Sequence, residues 1–383
     1  MLADHGRVNV PSPKLSLAMI VKNEARCLAR CLASVKGFAD EIVIADTGST
    51  DDTPRIAREA GAKISRFEWV DDFAAARNFV IDQTAGDWIL VLDADEWVSE
   101  TLAKEIPLFA RGGPAVGQLK IVSEFRRNHQ TLCSQCFIPR LFPRGARFQG
   151  RIHEQLVSSL PHARLLGDLW HDGYLAGNKT GRNMRLLRAE LEREPDNAYF
   201  LFQMAVEHNA AGQPEKAFGL LQRAFVRVKP DQPSAANIAV DLLYTILELK
   251  EFEAGIDVVA RAEKYLGDFP DFFLVRGLFF MRLIRSNPAK YVSELPKIEQ
   301  SFQRCLALGE AKNPGRSVRG AGTFLAHYNL GVFYHAFGNI PAARRCLESS
   351  AALGYEPAAE LLKKLRAGEV ITRDGAVAAQ PGK

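Results

Sequence analysis

The stretch W-I-L-V-L-D-A-D-E-W, residues 88–97, begins with an apolar run and then carries three carboxylates. A continuous apolar run of this kind is typical of a strand whose two faces are both covered in a parallel sheet. Asp93, Asp95 and Glu96 follow it within four positions, where an ordinary turn needs only one polar residue. Carboxylates this close repel one another unless a cation lies among them. The stretch therefore predicts a buried central strand that ends at a functional site.

Three similar apolar runs precede this strand, and a segment with helical spacing separates each from the next. The runs are L-S-L-A-M-I-V (15–21), E-I-V-I-A-D (41–46) and A-K-I-S-R-F-E-W (62–69). Strands that alternate with helices predict a parallel, doubly wound sheet. Ligands of such sheets bind at the carboxyl ends of the strands, where we expect Asp46 and Asp93. From about residue 115 to 170 the pattern changes to strands and loops that complete this domain.

The second half of the sequence is helical and repetitive. In N-L-G-V-F-Y-H-A-F-G-N-I-P-A-A-R-R-C-L (329–347), small and large residues fall at the spacing of a 34-residue tetratricopeptide repeat. Weaker copies occur around Ala205, at 250–262, and at 276–281 together with 301–306. We predict a flexible leader at 1–13, an α/β domain at 14–180, a helical solenoid of about four units at 181–368, and a disordered tail at 369–383.

Bulk composition excludes several classes of protein. A net charge of only +4 over 383 residues does not favour nucleic-acid binding. The six cysteines are thinly spread, which indicates a reducing cytoplasm, and the Cys133–Cys136 pair lacks the second pair that a structural zinc site needs. The sequence shows no signal peptide and no apolar run of the ~18–20 residues that span a membrane. We therefore predict a cytoplasmic protein that could meet a membrane only at its surface.

The spacing of Asp93 and Asp95 suits a divalent cation. Residues two apart at the end of a strand can point their side chains the same way, and carboxylate oxygens suit Mg²⁺ or Mn²⁺ that shares its shell with a substrate phosphate. A helix N-terminus, where acids are favoured by the dipole, is the simpler explanation. Polar groups at two further strand ends, V-K-N-E (21–24) and D-T-G-S-T-D-D-T (46–53), favour a nucleotide site along one rim of the sheet.

In this order, L-A-M-I-V-K-N-E, E-I-V-I-A-D-T-G-S-T-D-D-T, F-A-A-A-R-N and W-I-L-V-L-D-A-D-E resemble the family 2 glycosyltransferases of the GT-A fold. F-Q-G-R-I-H-E-Q-L and W-H-D-G-Y resemble the subgroup with C-terminal tetratricopeptide repeats. The resemblance covers roughly residues 14–185, and the repeats extend it. It implies an α/β GT-A domain, Rossmann-like and of the nucleotide-diphospho-sugar transferase type, followed by an all-α tetratricopeptide-type solenoid.

The resemblance also implies roles for individual residues. The nucleoside of the donor would be bound by Val21, Glu24 and Asp46, with Arg77 and Asn78 on the nucleotide side of the cleft. Asp93 would contact the ribose and the metal region, Asp95 would bind the metal, and His171 would complete the metal shell. Glu154 matches the position expected for the catalytic base, but many members carry an acidic pair where this chain has His153-Glu154. The choice between these two residues stays open, as does the alternative that His153 or His171 is an ordinary partly buried histidine.

Chemistry independently requires a base that does not bind the metal. Transfer from a nucleoside-diphosphate sugar builds charge on the leaving diphosphate, which a divalent ion stabilises. The acceptor must lose a proton, so one carboxylate must act as general base. With Asp93 and Asp95 occupied, we expect Glu154 in that role. Trp97 could stack on a sugar, although core packing is its commoner use.

A one-sided basic run has two interpretations. Residues 126–151 contain six arginines and no acid: Arg126, Arg127, Arg140, Arg144, Arg147 and Arg151. They could form a solvated face, or they could bind a diphosphate, a phosphorylated glycan or an anionic membrane surface. Lys179 and Arg182 are weaker candidates for the same contact.

The sequence thus predicts a metal-dependent, inverting glycosyltransferase that uses Mn²⁺ or Mg²⁺ and a nucleoside-diphosphate sugar, with a UDP-sugar favoured. Its acceptor would be a lipid-linked or cell-envelope glycan such as lipopolysaccharide core, or alternatively a peptide presented by the repeats, which could also form a homodimer. A nucleotidyltransferase is disfavoured because V-K-N-E-A-R-C after the first strand lacks glycine. A non-catalytic scaffold is disfavoured by the intact D-A-D and Glu154.

Overall fold

The computed structural model describes residues 12–127, 130–172, 180–312 and 315–366, without the side chains of 125–131, 180 and 366. The described chain divides into two compact units. The first takes 12–123 and 137–172, and the second takes 124–136 and 180–366, with the gaps just given. The predicted tail, Lys179 and nearly all of the predicted leader lie outside the described residues. The predicted domain boundary at residue 180 stays a prediction.

The first unit alternates strands and helices in the predicted order and then continues mainly as strands. Its elements are β1 (Leu15–Val21), α1 (Leu28–Val35), β2 (Glu41–Asp46), α2 (Thr53–Glu59), β3 (Lys63–Arg66), α3 (Phe73–Asp82), β4 (Trp88–Val91), β5 (Glu96–Val98), α4 (Glu100–Arg111), β6 (Val116–Arg127), β7 (Gln130–Pro143), β8 (Arg147–Gln149), β9 (Gln155–Val157) and β10 (His162–His171). Residues 124–127 of β6 and 130–136 of β7 belong to the second unit.

The strands form a mixed sheet in the order β3-β2-β1-β4-β7-β6-β10-β5. The neighbouring pairs β2–β3, β1–β2 and β1–β4 are parallel, as predicted. The expectation of a wholly parallel sheet is wrong beyond β4, because β7 pairs antiparallel with β4 and β5 pairs antiparallel with β10. Only residues 128 and 129 separate β6 from β7, too few for the crossover that parallel neighbours in sequence require. All four residues of β4 are buried, which confirms the covered central strand.

The second unit consists of stacked helices and one short strand. Its elements are α5 (Thr180–Arg193), α6 (Ala198–Ala210), α7 (Pro214–Arg227), α8 (Ala235–Leu249), α9 (Phe252–Ala262), α10 (Pro270–Ser286), α11 (Pro288–Tyr291), a 3-10 turn (Val292–Glu294), α12 (Pro296–Leu308), β11 (Ser317–Val318), α13 (Phe324–Ala336), α14 (Ile340–Ala352) and α15 (Glu356–Arg366). None of the described helices combines the length and the apolar composition that crossing a bilayer would require.

Helix pairs build this unit as the repeat pattern predicts. The pairs are α6 with α7, α8 with α9, α10 with α12, and α13 with α14. The small positions of the repeat are places of close approach. A Cβ at Gly255 would overlap the Phe279 ring, and one at Gly331 would lie 2.8 Å from Leu347. The structure therefore confirms an α/β domain followed by a helical region of about four units.

Candidate active site

The carboxyl ends of the first parallel strands lie side by side, as expected for a ligand-binding rim. Val21 at the end of β1 is in register with Asp46 at the end of β2. The turn after β2 is fixed by Asp46, whose Oδ1 accepts hydrogen bonds from the backbone N–H of Ser49 (3.0 Å) and from its hydroxyl (2.6 Å). Glu24 donates its backbone N–H to the Thr53 hydroxyl at 2.7 Å. The structure thus brings Val21, Glu24 and Asp46 to one edge of the sheet.

Asp93 follows β4 and is paired with two arginines. Its Oδ1 lies 2.9 Å from Nη2 of Arg77, which comes from α3, and its Oδ2 lies 2.7 Å from Nη2 of Arg140, which comes from β7. Both guanidinium groups are buried, whereas the Asp93 side chain is 36% exposed. Burial alone would raise the pKa of Asp93, but Arg77 and Arg140 outweigh it and hold that pKa well below its usual range. Asp93 is therefore an anion fixed by two cations.

The same arginines extend this pairing to two further acids. Nε of Arg77 donates to Oε1 of Glu154, and Nη2 of Arg140 lies 2.8 Å from Oε1 of Glu96. Glu96 also accepts the backbone N–H of Asp93 at 2.8 Å. Burial raises the pKa of Glu96, although Arg140 opposes that shift. The resulting chain of alternating charges, which we call the charge ladder, runs Glu154, Arg77, Asp93, Arg140 and Glu96.

The role of Arg140 in the charge ladder was not predicted from the sequence. Arg140 belongs to the one-sided basic run, yet it is only 7% exposed and serves the acids after β4. Arg144 in the same run bonds to the carbonyl oxygens of Thr84 and Gly86. The signal was present in the apolar stretch F-I-P-R-L-F, because an arginine inside a buried strand requires an acidic partner. The side chains of Arg126 and Arg127 lie outside the described residues.

Asp95 lies beside His171. Oδ2 of Asp95 and Nε2 of His171 are 3.7 Å apart, and Asp95 is only 4% exposed. The other ring nitrogen of His171, Nδ1, is 2.9 Å from the Ser123 hydroxyl. Strand pairing between β5 and β10 places His171 opposite Glu96. Burial acts to lower the pKa of His171, but the Asp95 carboxylate outweighs it and raises that pKa.

The spacing of the Asp95–His171 pair can be compared with a divalent-ion shell. Ligand atoms about 2.1 Å from a shared octahedral ion are separated by roughly 3 Å at right angles and roughly 4.2 Å when opposite. The observed 3.7 Å lies between these two spacings, so the two side chains would have to shift by about half an ångström to bind one octahedral ion. Within the described ranges, no three His, Cys, Asp or Glu side chains are grouped as a ready metal site. Two protein ligands suit an ion that completes its shell with substrate phosphate and water.

Glu154 lies on the loop that joins β8 to β9, and Asn78 of α3 holds the strand that leads into this loop. Asn78 donates its side-chain amide to the Phe148 carbonyl and accepts the Phe148 N–H, both at 2.9 Å. The loop also contacts α3 where Arg151 accepts the N–H of Phe73 at 2.9 Å. His153 has a left-handed backbone, with φ of 53°, directly before Glu154. Asn78 thus fixes the loop that brings Glu154 to Arg77, and its nucleotide contact stays a prediction.

Trp97 is covered by an arginine. The Arg30 guanidinium lies 3.7 Å from the centre of the Trp97 ring, and Arg30 is also 2.5 Å from Asp172. Arg26 pairs with the same carboxylate at 3.3 Å, and together the two arginines lower the pKa of Asp172. This cluster lies next to the candidate metal pair, since the Asp172 N–H donates to the Asp95 carbonyl at 3.2 Å. One face of Trp97 therefore packs on Arg30 in this structure.

Comparison with known proteins found a family model and several relatives that resemble this chain. Residues 16–156 match the family model described as Glycosyl transferase family 2. A TPR repeat-containing protein of Synechococcus elongatus is 61% identical over 272 residues, which cover 66% of this chain and 65% of that protein. The SPbeta prophage-derived glycosyltransferase SunS of Bacillus subtilis is 29% identical over 250 residues, or 62% of this chain and 59% of SunS. An uncharacterized glycosyltransferase of Rickettsia felis is 42% identical over 93 residues, or 24% of this chain and 32% of that protein.

These matches confirm the resemblance predicted from the motifs. Residues 16–156 are similar to the family 2 glycosyltransferases. The name of the Synechococcus relative agrees with the helical repeats that follow. The chain spans less than two thirds of the length of the Synechococcus, Bacillus and Rickettsia relatives.

Proposed function

We propose that this chain, whose residues 16–156 match the family 2 model, is a glycosyltransferase that moves a sugar from a nucleoside-diphosphate sugar to an acceptor with inversion. The observation that supports this most is the combination of the charge ladder with the Asp95–His171 pair, adjacent to the ends of β1 and β2. This arrangement offers a rim for a nucleoside, two ligands for a divalent ion and one further carboxylate.

The donor would lie along the rim formed by Val21, Glu24 and Asp46, with UDP as the expected nucleotide. Asp93 is already neutralised by arginines, so we assign it to positioning and to the ribose region. Asp95 and His171 are the residues that would bind Mn²⁺ or Mg²⁺. A divalent ion bound there would stabilise the charge that develops on the leaving diphosphate.

Glu154 is the proposed general base. Its carboxylate is fixed by Arg77 and is 11% exposed on its side chain, so it is oriented and partly shielded from water. It would accept the proton of the acceptor hydroxyl or thiol as the nucleophile attacks the anomeric carbon. His153, its neighbour on the same loop, remains the alternative base. The ion pairs that join Glu154 to Asp93 through Arg77 support a working catalytic site over a non-catalytic scaffold.

The proposal also covers the acceptor and the cellular location, which we infer from the basic run and the helical repeats. We favour a cell-envelope or lipid-linked glycan as acceptor, with a cytoplasmic enzyme that contacts the anionic inner face of the membrane. A peptide acceptor is the alternative, because the second unit is built of helical repeats. Dimer formation through those repeats completes the proposal.

Thermal shift with nucleotide-sugars tests the donor and the metal, since a ligand that binds only the native state raises the melting temperature. We expect UDP-sugars with Mn²⁺ to raise it more than either component alone, and Asp95→Asn to remove the increment due to Mn²⁺. The control is Asp82→Asn, which alters an exposed acid of α3. If Asp95→Asn keeps the full Mn²⁺ increment, Asp95 is not a metal ligand.

Turnover tests the base. Glu154→Gln should still show the donor-induced shift in melting temperature while transfer falls by roughly 10²–10⁴-fold, the usual worth of a general base. Water can serve as acceptor, so release of UDP from UDP-sugars measures the loss without knowledge of the natural acceptor. Full activity in this variant, combined with loss of activity in His153→Gln, would assign the base to His153.

A further inference from the structure

The inner helices of the second unit are covered on every side. Every residue from 237 to 246 of α8 and from 270 to 280 of α10 is buried. A helix at the surface of a solenoid normally keeps a polar, solvated face. Some other part of the chain must therefore cover the face of α8 and α10 that neighbouring helices leave open.

Residues 315–323, which we call the strap, contribute to that cover. The strap passes the first helices of three successive repeats. The Arg316 guanidinium lies 6.0 Å from the centre of the Phe202 ring on α6 and 2.5 Å from Asp241 on α8. The Arg316 carbonyl accepts the side-chain amide of Asn237 at 2.6 Å. The Val318 N–H donates to Oδ1 of Asp271 on α10 at 2.6 Å.

The strap binds in the manner of an extended peptide. Its residues Ser317 and Val318 form β11, which pairs antiparallel with Gln135 and Ser134 of β7. Its polar contacts with the helices use its backbone and the Arg316 side chain, and the side chains of Val318 and Ala321 are buried in the hydrophobic core of the unit. Main-chain bonds of this kind give affinity to peptide recognition, and side-chain pockets add specificity. Glu310 closes the far end of the strap by accepting the Gly320 N–H at 2.9 Å.

The strap leaves a polar atom of the helices beneath it without a hydrogen-bond partner among the described residues. Oδ2 of Asp271 is buried and has no hydrogen-bond partner in the described part of the chain, and Asp271 as a whole is 2% exposed. A buried carboxyl oxygen without a hydrogen-bond partner is unusual in native structures and costs stability. Three carboxylates, those of Asp241, Asp271 and Glu310, contact the strap, which supplies one guanidinium to them. A segment with one more donor or cation would match these groups better.

We propose that Asn237, Asp241 and Asp271 form a recognition site for an extended, arginine-containing peptide, which the strap occupies in cis. In this state the chain blocks its own repeat groove, and a partner peptide binds by displacing the strap. The ligand class is an extended cationic segment with small residues beside its arginine. A small residue is required before the arginine because a Cβ at Gly315 would lie 3.1 Å from Oδ1 of Asn237. The inference concerns the second unit and does not depend on the proposed sugar transfer.

A labelled peptide with the sequence of residues 312–324, K-N-P-G-R-S-V-R-G-A-G-T-F, tests the site on the full-length chain by fluorescence anisotropy. Arg316→Ala weakens the cis contact and should raise the affinity for this peptide at least tenfold over the wild type. Asp241→Asn added to Arg316→Ala should remove that gain. The matched control is Arg319→Ala, an exposed arginine of the same strap, which should behave as the wild type.

A folded Arg316→Ala chain that gains no affinity would overturn the proposal, since the strap would then be an integral part of the core. Hydrogen exchange of the wild type gives a second readout that does not depend on any variant folding. Millimolar peptide should speed exchange across residues 315–323 at least tenfold, and a peptide with alanine in place of its first arginine should not. Unchanged exchange at saturating peptide would equally rule out displacement.

Discussion

Oδ2 of Asp93 lies 2.7 Å from Nη2 of Arg140, a residue 47 positions later in the sequence. The first acid of the D-A-D motif is thus neutralised by the protein itself, and Arg140 joins it to Glu96. The site is therefore organised before any donor arrives. Preorganised charges of this kind need no rearrangement during the reaction.

Arg140→Met should destabilise the first unit by about 3–5 kcal/mol, because it leaves Asp93 and Glu96 without their shared cation in a buried place. Arg140→Lys keeps the charge but not the planar group that bridges two carboxylates, so its effect should be intermediate. Denaturant unfolding measures both. Arg147→Met removes the exposed pair with Asp82, 44% and 60% exposed, and should cost no more than about 1 kcal/mol. Equal losses in the Arg140 and Arg147 variants would contradict this account of the charge ladder.

Asn78→Ala should separate positioning from donor binding. It leaves the backbone N–H and carbonyl of Phe148 without their partner, which costs about 1–3 kcal/mol. Because the same loop carries Glu154, we expect kcat to fall more than the donor KM changes. Gln83→Ala, at the exposed end of the same helix, is the control and should affect neither. A rise in donor KM without a fall in kcat would instead support a direct nucleotide contact for Asn78.

Two glycines of the helical unit should respond to alanine in opposite directions. Gly255→Ala places a Cβ against the Phe279 ring, so overpacking should destabilise the protein by about 1–3 kcal/mol. Gly219 lies inside α7, where a Cβ would meet no atom of the described residues within 4 Å, and Gly219→Ala should stabilise by roughly 0.5–1 kcal/mol. We expect the melting temperature to fall in Gly255→Ala and to rise in Gly219→Ala, relative to the wild type. Destabilisation in both would mean that helix packing does not explain the small positions of the repeat.

Asp271 should make the stability of the helical unit depend on pH. Burial raises the pKa of Asp271 to about 7, with Glu310 adding to the shift, while the Val318 N–H and Arg316 oppose it. The folded chain therefore binds a proton that the unfolded chain, with a pKa of about 3.9, has already lost. The stabilisation is complete below about pH 4 and is lost as the pH rises to 7, by on the order of 4 kcal/mol.

Asp271→Asn, which cannot ionise, should remove this dependence. Urea unfolding of the wild type and the variant between pH 4.5 and 8 gives the difference in free energy of unfolding as a function of pH. The buried thiol of Cys305, whose pKa is raised well above neutral, stays protonated throughout and does not contribute. Asp196→Asn, at a 66% exposed acid, supplies the baseline. Parallel curves for the wild type and Asp271→Asn would show that Asp271 is charged at every pH tested.

The local features of the fold were predictable from the sequence because they depend on neighbouring residues. Apolar runs located β1, β2 and β4. Asp46 and Asp93 were placed correctly at strand ends for the same reason. Contacts between distant segments were not predictable. Nothing in the sequence near residue 140 indicates that β7 pairs antiparallel with β4 and so places Arg140 next to Asp93. The strap was not predictable either, because R-S-V-R-G-A-G has the composition of an ordinary loop.

Two adjacent residues of α3 make different contacts. Arg77 forms ion pairs with Asp93 and Glu154, and Asn78 bonds to Phe148 at the start of the segment that carries Glu154. Asp72 begins this helix and accepts the N–H of Ala75 at 2.8 Å, so its first turn is secured. A chimaera that exchanges residues 147–157 alone between this chain and a relative would separate Phe148 from its amide partner. The smallest segment that can be exchanged with its function intact is therefore α3 together with that loop, although some sixty residues of sequence lie between them.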